Sequence, residues 1–256
     1  MKKLLIVLIL MITPAIALFS ETINFDFSLG YATTSIIGID NALQNIPDAP
    51  VTIPTPNSGY YFAFDANYVL QNGFMIGPRI EFINTVMNNW GPFTVSTPIP
   101  GGDYSVATYS YKYSASLMPM LLGVSYKSAF ERTPFFVKGG VYLGYAPGSA
   151  YNNITRPGPY MPISPIPPGS INIDTISMSG SGFVGEVLLS FNCAFFGLNI
   201  GYRKIYIPQM TYSNTVSDSN LGIYVNKGAV VKDLNNKTMG FDFSGFIFGY
   251  SINIGF

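Results

Sequence analysis

The chain has 256 residues, with 13 basic and 13 acidic side chains and no histidine. Charged residues make up 10% of it, against roughly 25% in a soluble domain, and mean hydropathy is +0.30. This excludes a disordered chain and an ordinary cytosolic surface. No apolar run of 18 residues follows the first 20, which excludes helical membrane spans. A membrane-like composition without such spans leaves a β-barrel. The missing histidine excludes a histidine general base, a Ser-His-Asp triad and His-ligated zinc or haem. Cys193 is the only cysteine, so neither an internal disulfide nor a thiolate cluster is available. The balanced charge gives no basic field for nucleic acid.

In chain order, residues 1–17 read as a cleaved signal peptide: Lys2 and Lys3, the apolar run Leu4 to Ile12, the break at Pro14, and Ala15-Ile16-Ala17 before the cut. Residues 18–256 form one barrel domain. Period-2 alternation predicts eight strands, at 22–33, 59–70, 74–86, 104–126, 135–146, 177–191, 195–207 and 238–256. The fourth is too long for one crossing. Tyr109, Tyr111, Tyr113, Ala115 and Leu117 share one parity, whereas Met118, Met120, Leu122 and Val124 hold the other, so a bulge is expected near Leu117–Pro119. The connections 34–58, 87–103, 147–176 and 208–237 are long. The alternate ones, 71–73, 127–134 and 192–194, are short. Outer-membrane barrels alternate in this way, with long loops outside and short periplasmic turns. The expected fold is therefore all-β, an eight-stranded antiparallel up-and-down transmembrane β-barrel.

The two faces differ in charge. Apart from Lys204, the outward positions carry none. Asp26, Asp65, Arg79, Glu81, Lys112, Lys138, Glu186, Arg203 and Asp242 are expected inside. An eight-stranded interior is just wide enough to be filled by side chains, and buried charges must pair. Asp26, Asp65, Arg79, Glu81, Lys138, Glu186 and Arg203 are therefore read as an internal ion-pair network. A catalytic acid–base role for Arg79 and Glu81 is the alternative. Tyr31, Tyr60, Tyr145 and Tyr202 near the outer strand ends, and Tyr68, Phe74 and Tyr126 near the inner ends, are read as two aromatic girdles. Tyr250, Ile252, Ile254 and Phe256 alternate up to the last residue, the pattern of a strand read by the barrel assembly machinery.

The segments Ser116-Leu117-Met118-Pro119-Met120-Leu121-Leu122-Gly123-Val124-Ser125-Tyr126 and Pro134-Phe135-Phe136-Val137-Lys138-Gly139-Gly140-Val141-Tyr142-Leu143-Gly144-Tyr145, with the terminal Gly255-Phe256, carry a family resemblance. They resemble the small eight-stranded outer-membrane barrels of the OmpA, OmpX and OmpW type. The resemblance covers the whole mature chain and implies a fold rather than an activity. Met118 stands where an acidic residue is often found in that family.

Gly180-Ser181-Gly182-Phe183-Val184-Gly185 matches a dinucleotide-binding string. It lies inside a strand with no helix after it, so it reads as barrel wall. Pro147, Pro157, Pro159, Pro162, Pro165, Pro167 and Pro168 stiffen loop 147–176. In 208–237, Ile223–Val225 and Ala229–Val231 are expected to pair as a small hairpin. The expected function is membrane structure and surface interaction, such as adhesion or recognition, in the outer membrane of a Gram-negative bacterium. The partners are outer-membrane lipids and a possible extracellular ligand held by loops 34–58, 147–176 and 208–237. The alternative is a narrow channel for small or hydrophobic solutes. No catalytic residue, metal or cofactor is expected.

Overall fold

A computed structural model describes residues 23–33, 35–37, 58–70, 73–86, 90–98, 104–156, 171–218, 223–232, 236–238 and 240–255. At 35–37, within 86–113, 152–174 and 218–223, and at 255 it describes backbone alone. The signal segment 1–17, most of 34–58 and Phe256 lie outside the described residues.

The described residues form fourteen strands. They are β1 (Ile23–Thr33), β2 (Ser35–Ile37), β3 (Ser58–Val69), β4 (Phe74–Val86), β5 (Trp90–Pro98), β6 (Tyr104–Leu117) and β7 (Met120–Ala129). There follow β8 (Phe135–Arg156), β9 (Ile171–Cys193), β10 (Phe196–Ile207), β11 (Met210–Tyr212), β12 (Val216–Asp218), β13 (Ile223–Val225) and β14 (Phe241–Gly255). β1 pairs with β3, β3 with β4, β4 with β6 and β7, both of these with β8, then β8 with β9, β9 with β10, β10 with β14, and β14 back to β1, all antiparallel. With β6 and β7 counted as one wall strand, the ring closes at eight. Closure leaves the wall no unpaired edge, which a membrane requires.

β6 and β7 are one strand in register. Leu117 faces Ile83 and Gly148, and Met120 faces Ile80 and Tyr145, with no residue inserted between them. The expected bulge is therefore absent. Pro119 has no N–H, so the ladder loses one bond there, but the carbonyl of Pro119 still accepts from Glu81 N at 2.9 Å. Alternation runs through unbroken. Ala115 and Leu117 are buried in the lumen, while Met118, Met120 and Leu122 are exposed outside.

The outer surface is apolar over a belt from Phe74 to Phe82 on β4, Phe135 to Tyr145 on β8 and Phe183 to Phe191 on β9. Such spans match the 9–11 residues that a tilted strand needs to cross a bilayer. Among the described residues no helix is long and apolar enough to cross a membrane. At the loop end the outward face turns polar on strand after strand, at Thr33, Ser58, Asn84, Ser116, Ser149, Ser181 and Lys204. These residues form a collar above Tyr31, Tyr60, Phe82, Tyr145, Phe183 and Tyr202. Ser116 Oγ donates to Asn84 Oδ1 across it at 2.7 Å.

All four long expected loops contain strand, β2 pairing with β14 inside 34–58. β8 and β9 run on together through 148–156 and 171–180, roughly 35 Å of strand beyond Tyr145 at about 3.3 Å per residue. The expected loop 147–176 is therefore mostly an extended hairpin wall. β5 pairs with β6 inside 87–103. Within 208–237, β11 pairs with β9, and Ile223–Val225 pairs with β12 rather than with 229–231. The 229–231 segment instead lies along β11, with Tyr212 N donating to Ala229 O at 2.9 Å and Val231 N to Met210 O at 2.9 Å. Turns close the other end at 130–134 and 194–195; between β3 and β4, Leu70 N donates to Phe74 O at 2.6 Å and Gly73 has a positive φ of 84°.

Candidate functional site

Inward positions near mid-barrel bring together side chains from six wall strands. Asp26 on β1 lies opposite Asp65 on β3, which lies opposite Arg79 on β4. Two like charges directly opposite on neighbouring strands repel unless cations intervene, and cations do. Arg79 Nη1 is 2.5 Å from Asp65 Oδ2, Nη2 is 2.7 Å from Glu81 Oε1, and Nε is 3.0 Å from Glu186 Oε1. Arg203 on β10 pairs with Glu81 Oε2, and Lys138 on β8 crosses the lumen to Asp26 Oδ2. All seven residues expected in the network are buried, none more than 4% exposed. A guanidinium suits this place because its fork serves several carboxylates at once.

Two tyrosines shape the site. The Arg79 guanidinium lies 5.5 Å from the Tyr142 ring centre, and that of Arg203 lies 5.8 Å from the Tyr61 ring. Both distances allow cation–π attraction in a desolvated setting. Each ring lies against a glycine in the wall. A Cβ on Gly123 would fall 2.1 Å from Tyr142 Cδ1, and one on Gly249 would fall 2.4 Å from the Tyr61 hydroxyl. The rings fit because those positions carry no side chain.

The lumen has two halves. Toward the turns it is polar: Asn24, Asn67, Ser125, Ser190, Asn192, Asn199, Ser251 and Asn253 are all buried there. Asn253 Nδ2 donates to Asn192 Oδ1 at 2.7 Å, and Asn199 Nδ2 to Ser28 Oγ at 3.0 Å. Toward the loops it is apolar: Ile83, Leu117, Ile205, Ile207, Phe241 and Phe243 are at most 3% exposed. Met210 and Val231, from the segments folded over the mouth, are completely buried with them. The sequence reading did not anticipate this apolar layer. Its signal was inward apolar residues alternating with outward polar ones above the collar, as in Ile205-Tyr206-Ile207 after Lys204.

One expected inward charge lies elsewhere. Asp242 pairs with Tyr206, on the outward parity of β14, beyond the belt. Its carboxylate accepts from Ser244 N at 2.9 Å. Above the collar the outside is wet, so a charge belongs there and not within. Lys112 lies on the loop-side extension, its side chain outside the described residues.

The girdle residues Tyr31, Tyr60, Tyr145 and Tyr202 stand exposed at the loop side of the belt, and Tyr68, Phe74 and Tyr126 at the turn side. Tyr31 and Tyr60 meet edge to face at 6.3 Å, and Phe74 and Tyr126 pack tilted at 5.0 Å. Tyr250, Ile252 and Ile254 face outward, and Phe256 lies outside the described residues. Gly180–Gly185 lies inside β9 between two other strands. Cys193 is exposed beside a turn. Among the described residues no group of three or more acidic or cysteine side chains is placed to hold a metal ion.

An eight-strand antiparallel barrel, apolar outside and filled by paired charges inside, is a membrane-spanning barrel with a packed lumen. Among solved structures the chain is similar to Ail, the attachment invasion locus protein of Yersinia pestis, in complex with the heparin analogue sucrose octasulfate. Identity is 13%, coverage 91% of this chain and 99% of that one, and TM-score 0.42. It is also similar to the outer membrane protein OprG of Pseudomonas aeruginosa, at 12% identity, 92% and 98% coverage and TM-score 0.41. The outer membrane protease OmpT of Escherichia coli is similar at 11% identity, 93% and 97% coverage and TM-score 0.41. No family model and no curated protein sequence matches the chain.

Proposed function

We propose that this chain is an outer-membrane barrel of a Gram-negative bacterium with a closed lumen. It strengthens the membrane and presents a surface for adhesion or recognition outside it. The closed lumen carries the reading. Arg79 and Arg203 fill the mid-section at 0% and 2% exposure, and Ile205, Ile207 and Phe241 fill the section above at 0%. A channel for small solutes would need a path between these groups, so the narrow-channel alternative is disfavoured. The β8–β9 extension supports the surface role, since it holds ordered strand well above the belt, where a membrane-embedded scaffold has no need of it.

On this reading the belt meets outer-membrane lipids, the alternating strand ending in Tyr250, Ile252, Ile254 and Phe256 is presented to the barrel assembly machinery, and residues 1–17 are removed on export. An extracellular ligand would be met by 34–58, 147–176 and 208–237. Planar-bilayer recording of the purified barrel tests the closed lumen: no steady conductance is expected, and a stable open level would defeat it. Cell-surface binding assays comparing the full chain with a variant shortened across 149–178 test the surface role. Loss of binding with outer-membrane levels unchanged is the expected result.

A further inference from the structure

From the charged mid-section down to the turns, buried polar atoms in the lumen outnumber their partners. Asp26 Oδ1, Asp65 Oδ1, Asn67 Oδ1, Ser125 Oγ, Tyr142 Oη and Asn192 Nδ2 have no hydrogen-bond partner among the described residues. Lys138 Nζ carries three N–H bonds, and its one side-chain acceptor among the described residues is Asp26. Native interiors leave few such groups unmet, because each one forfeits the hydration it had in the unfolded chain. Tyr142, Lys138, Asp65 and Asp26 lie within electrostatic reach of one another. The orphaned set includes acceptors (Asp26, Asp65, Asn67), donors (Lys138, Asn192) and hydroxyls that do both (Ser125, Tyr142). A metal cation would satisfy only the acceptors and would face the Lys138 ammonium. A molecule that donates and accepts satisfies all of them, and buried water typically makes two to four such bonds.

The loop-side half is different. Among the described residues, Tyr61 Oη, on the β3 position opposite Ile83 and reaching back to Gly249, is the one buried polar side-chain atom without a partner beyond the turn-side set and the Arg79–Glu186 cluster. The lining there is Ile83, Leu117, Ile205, Ile207, Phe241 and Phe243. An apolar constriction of this kind excludes water and, with it, ions.

We propose that the turn-side half of the lumen is a water-binding site centred on Lys138, and that the apolar loop-side half is dry and forms the barrier to permeation. The proposal rests on the closed-lumen reading above and locates what closes it. The charged cluster is then wetted from the turn side, and the seal is the layer above it.

Radiolytic hydroxyl labelling of the intact barrel in detergent tests the water site, because radicals formed in bound water oxidise adjacent side chains even when they are buried. Met75, Met178 and Met210 have one chemistry and are all buried, at 0%, 4% and 0% exposure. Met75 lies opposite Ser125 in the polar half. Met75 and Tyr142 should oxidise several-fold faster than Met178 and Met210. Equal rates, or faster oxidation of Met210, would overturn the assignment. Bilayer recording tests the barrier. A variant combining Ile207→Ser and Phe243→Ser, checked for folding by unboiled gel mobility, should open a steady conductance, while Arg203→Met stays silent. A folded but silent double variant, or a conducting Arg203→Met, would overturn the barrier alone. A conducting wild-type barrel would instead overturn the closed-lumen reading, with the labelling result still deciding the water site.

Discussion

Replacing Arg79 with methionine isolates the most connected group in the lumen. Methionine keeps much of the volume and removes the charge. Asp65 and Glu186 then have no other ion-pair partner among the described residues, whereas Glu81 keeps Arg203. Breaking one buried pair by deleting a partner costs about 3–5 kcal/mol. Two stranded carboxylates at 1% and 2% exposure place Arg79→Met at or above the top of that range. Arg203→Met strands none, because Arg79 still serves Glu81, and should cost no more than about 1.5–3 kcal/mol, the worth of a hydrogen bond to a charged group. The triple variant Arg79→Met, Asp65→Asn, Glu186→Gln removes the stranded charges with the cation and should recover most of the loss. Urea unfolding in lipid vesicles, followed by the mobility of unboiled samples on a gel, measures all three. An Arg79→Met barrel within about 1 kcal/mol of the wild type, below the cost of even one broken buried pair, would refute the role given to Arg79. A triple variant no more stable than the single one would refute it equally.

Gly123→Ala puts a methyl group 2.1 Å from Tyr142 Cδ1, so the ring must leave its seat over Arg79. A loss of about 1–3 kcal/mol is expected in the same unfolding assay, as for other overpacked sites. Leu122 is 61% exposed on the belt, and Leu122→Arg should cost about 2–4 kcal/mol if it lies near the bilayer midplane. Ser179→Arg, on the outward face above the collar, should leave vesicle folding unchanged, and equal effects from the two arginines would contradict the placement of the belt. Removing Phe256 should lower the amount of protein recovered in outer-membrane fractions without changing the stability of the barrel that does assemble.

The wall was legible because membrane strands carry their address in alternation. Phe246, Phe248, Tyr250, Ile252 and Ile254 are exposed while Ile247, Ser251 and Asn253 are buried, as period-2 patterning requires. The lumen cluster was legible by a similar rule, since a charge inside an apolar belt has only one face to occupy. Each of these rules has a range. The fourth strand was misread because apolar residues of both parities follow one another around Pro119. Polarity cannot say which parity faces lipid when both faces are apolar.

Composition and alternation by themselves determined that this chain crosses a membrane with eight strands, and they put nine charges inside, of which seven are buried in the lumen. The tertiary structure decided which charge meets which. Lys138 and Asp26 are 112 residues apart and Arg203 and Glu81 are 122 apart, and only ring closure brings them across one lumen. It also decided what happens above the collar. There the solvent outside changes from lipid to water, the outward face becomes polar, and the interior fills with Ile205, Ile207, Phe241 and Phe243. Asp242 was placed on the wrong face because the rule that charges point inward holds only as far as the lipid does. The height of that boundary is set by the neighbouring strands together and is not written in any one of them.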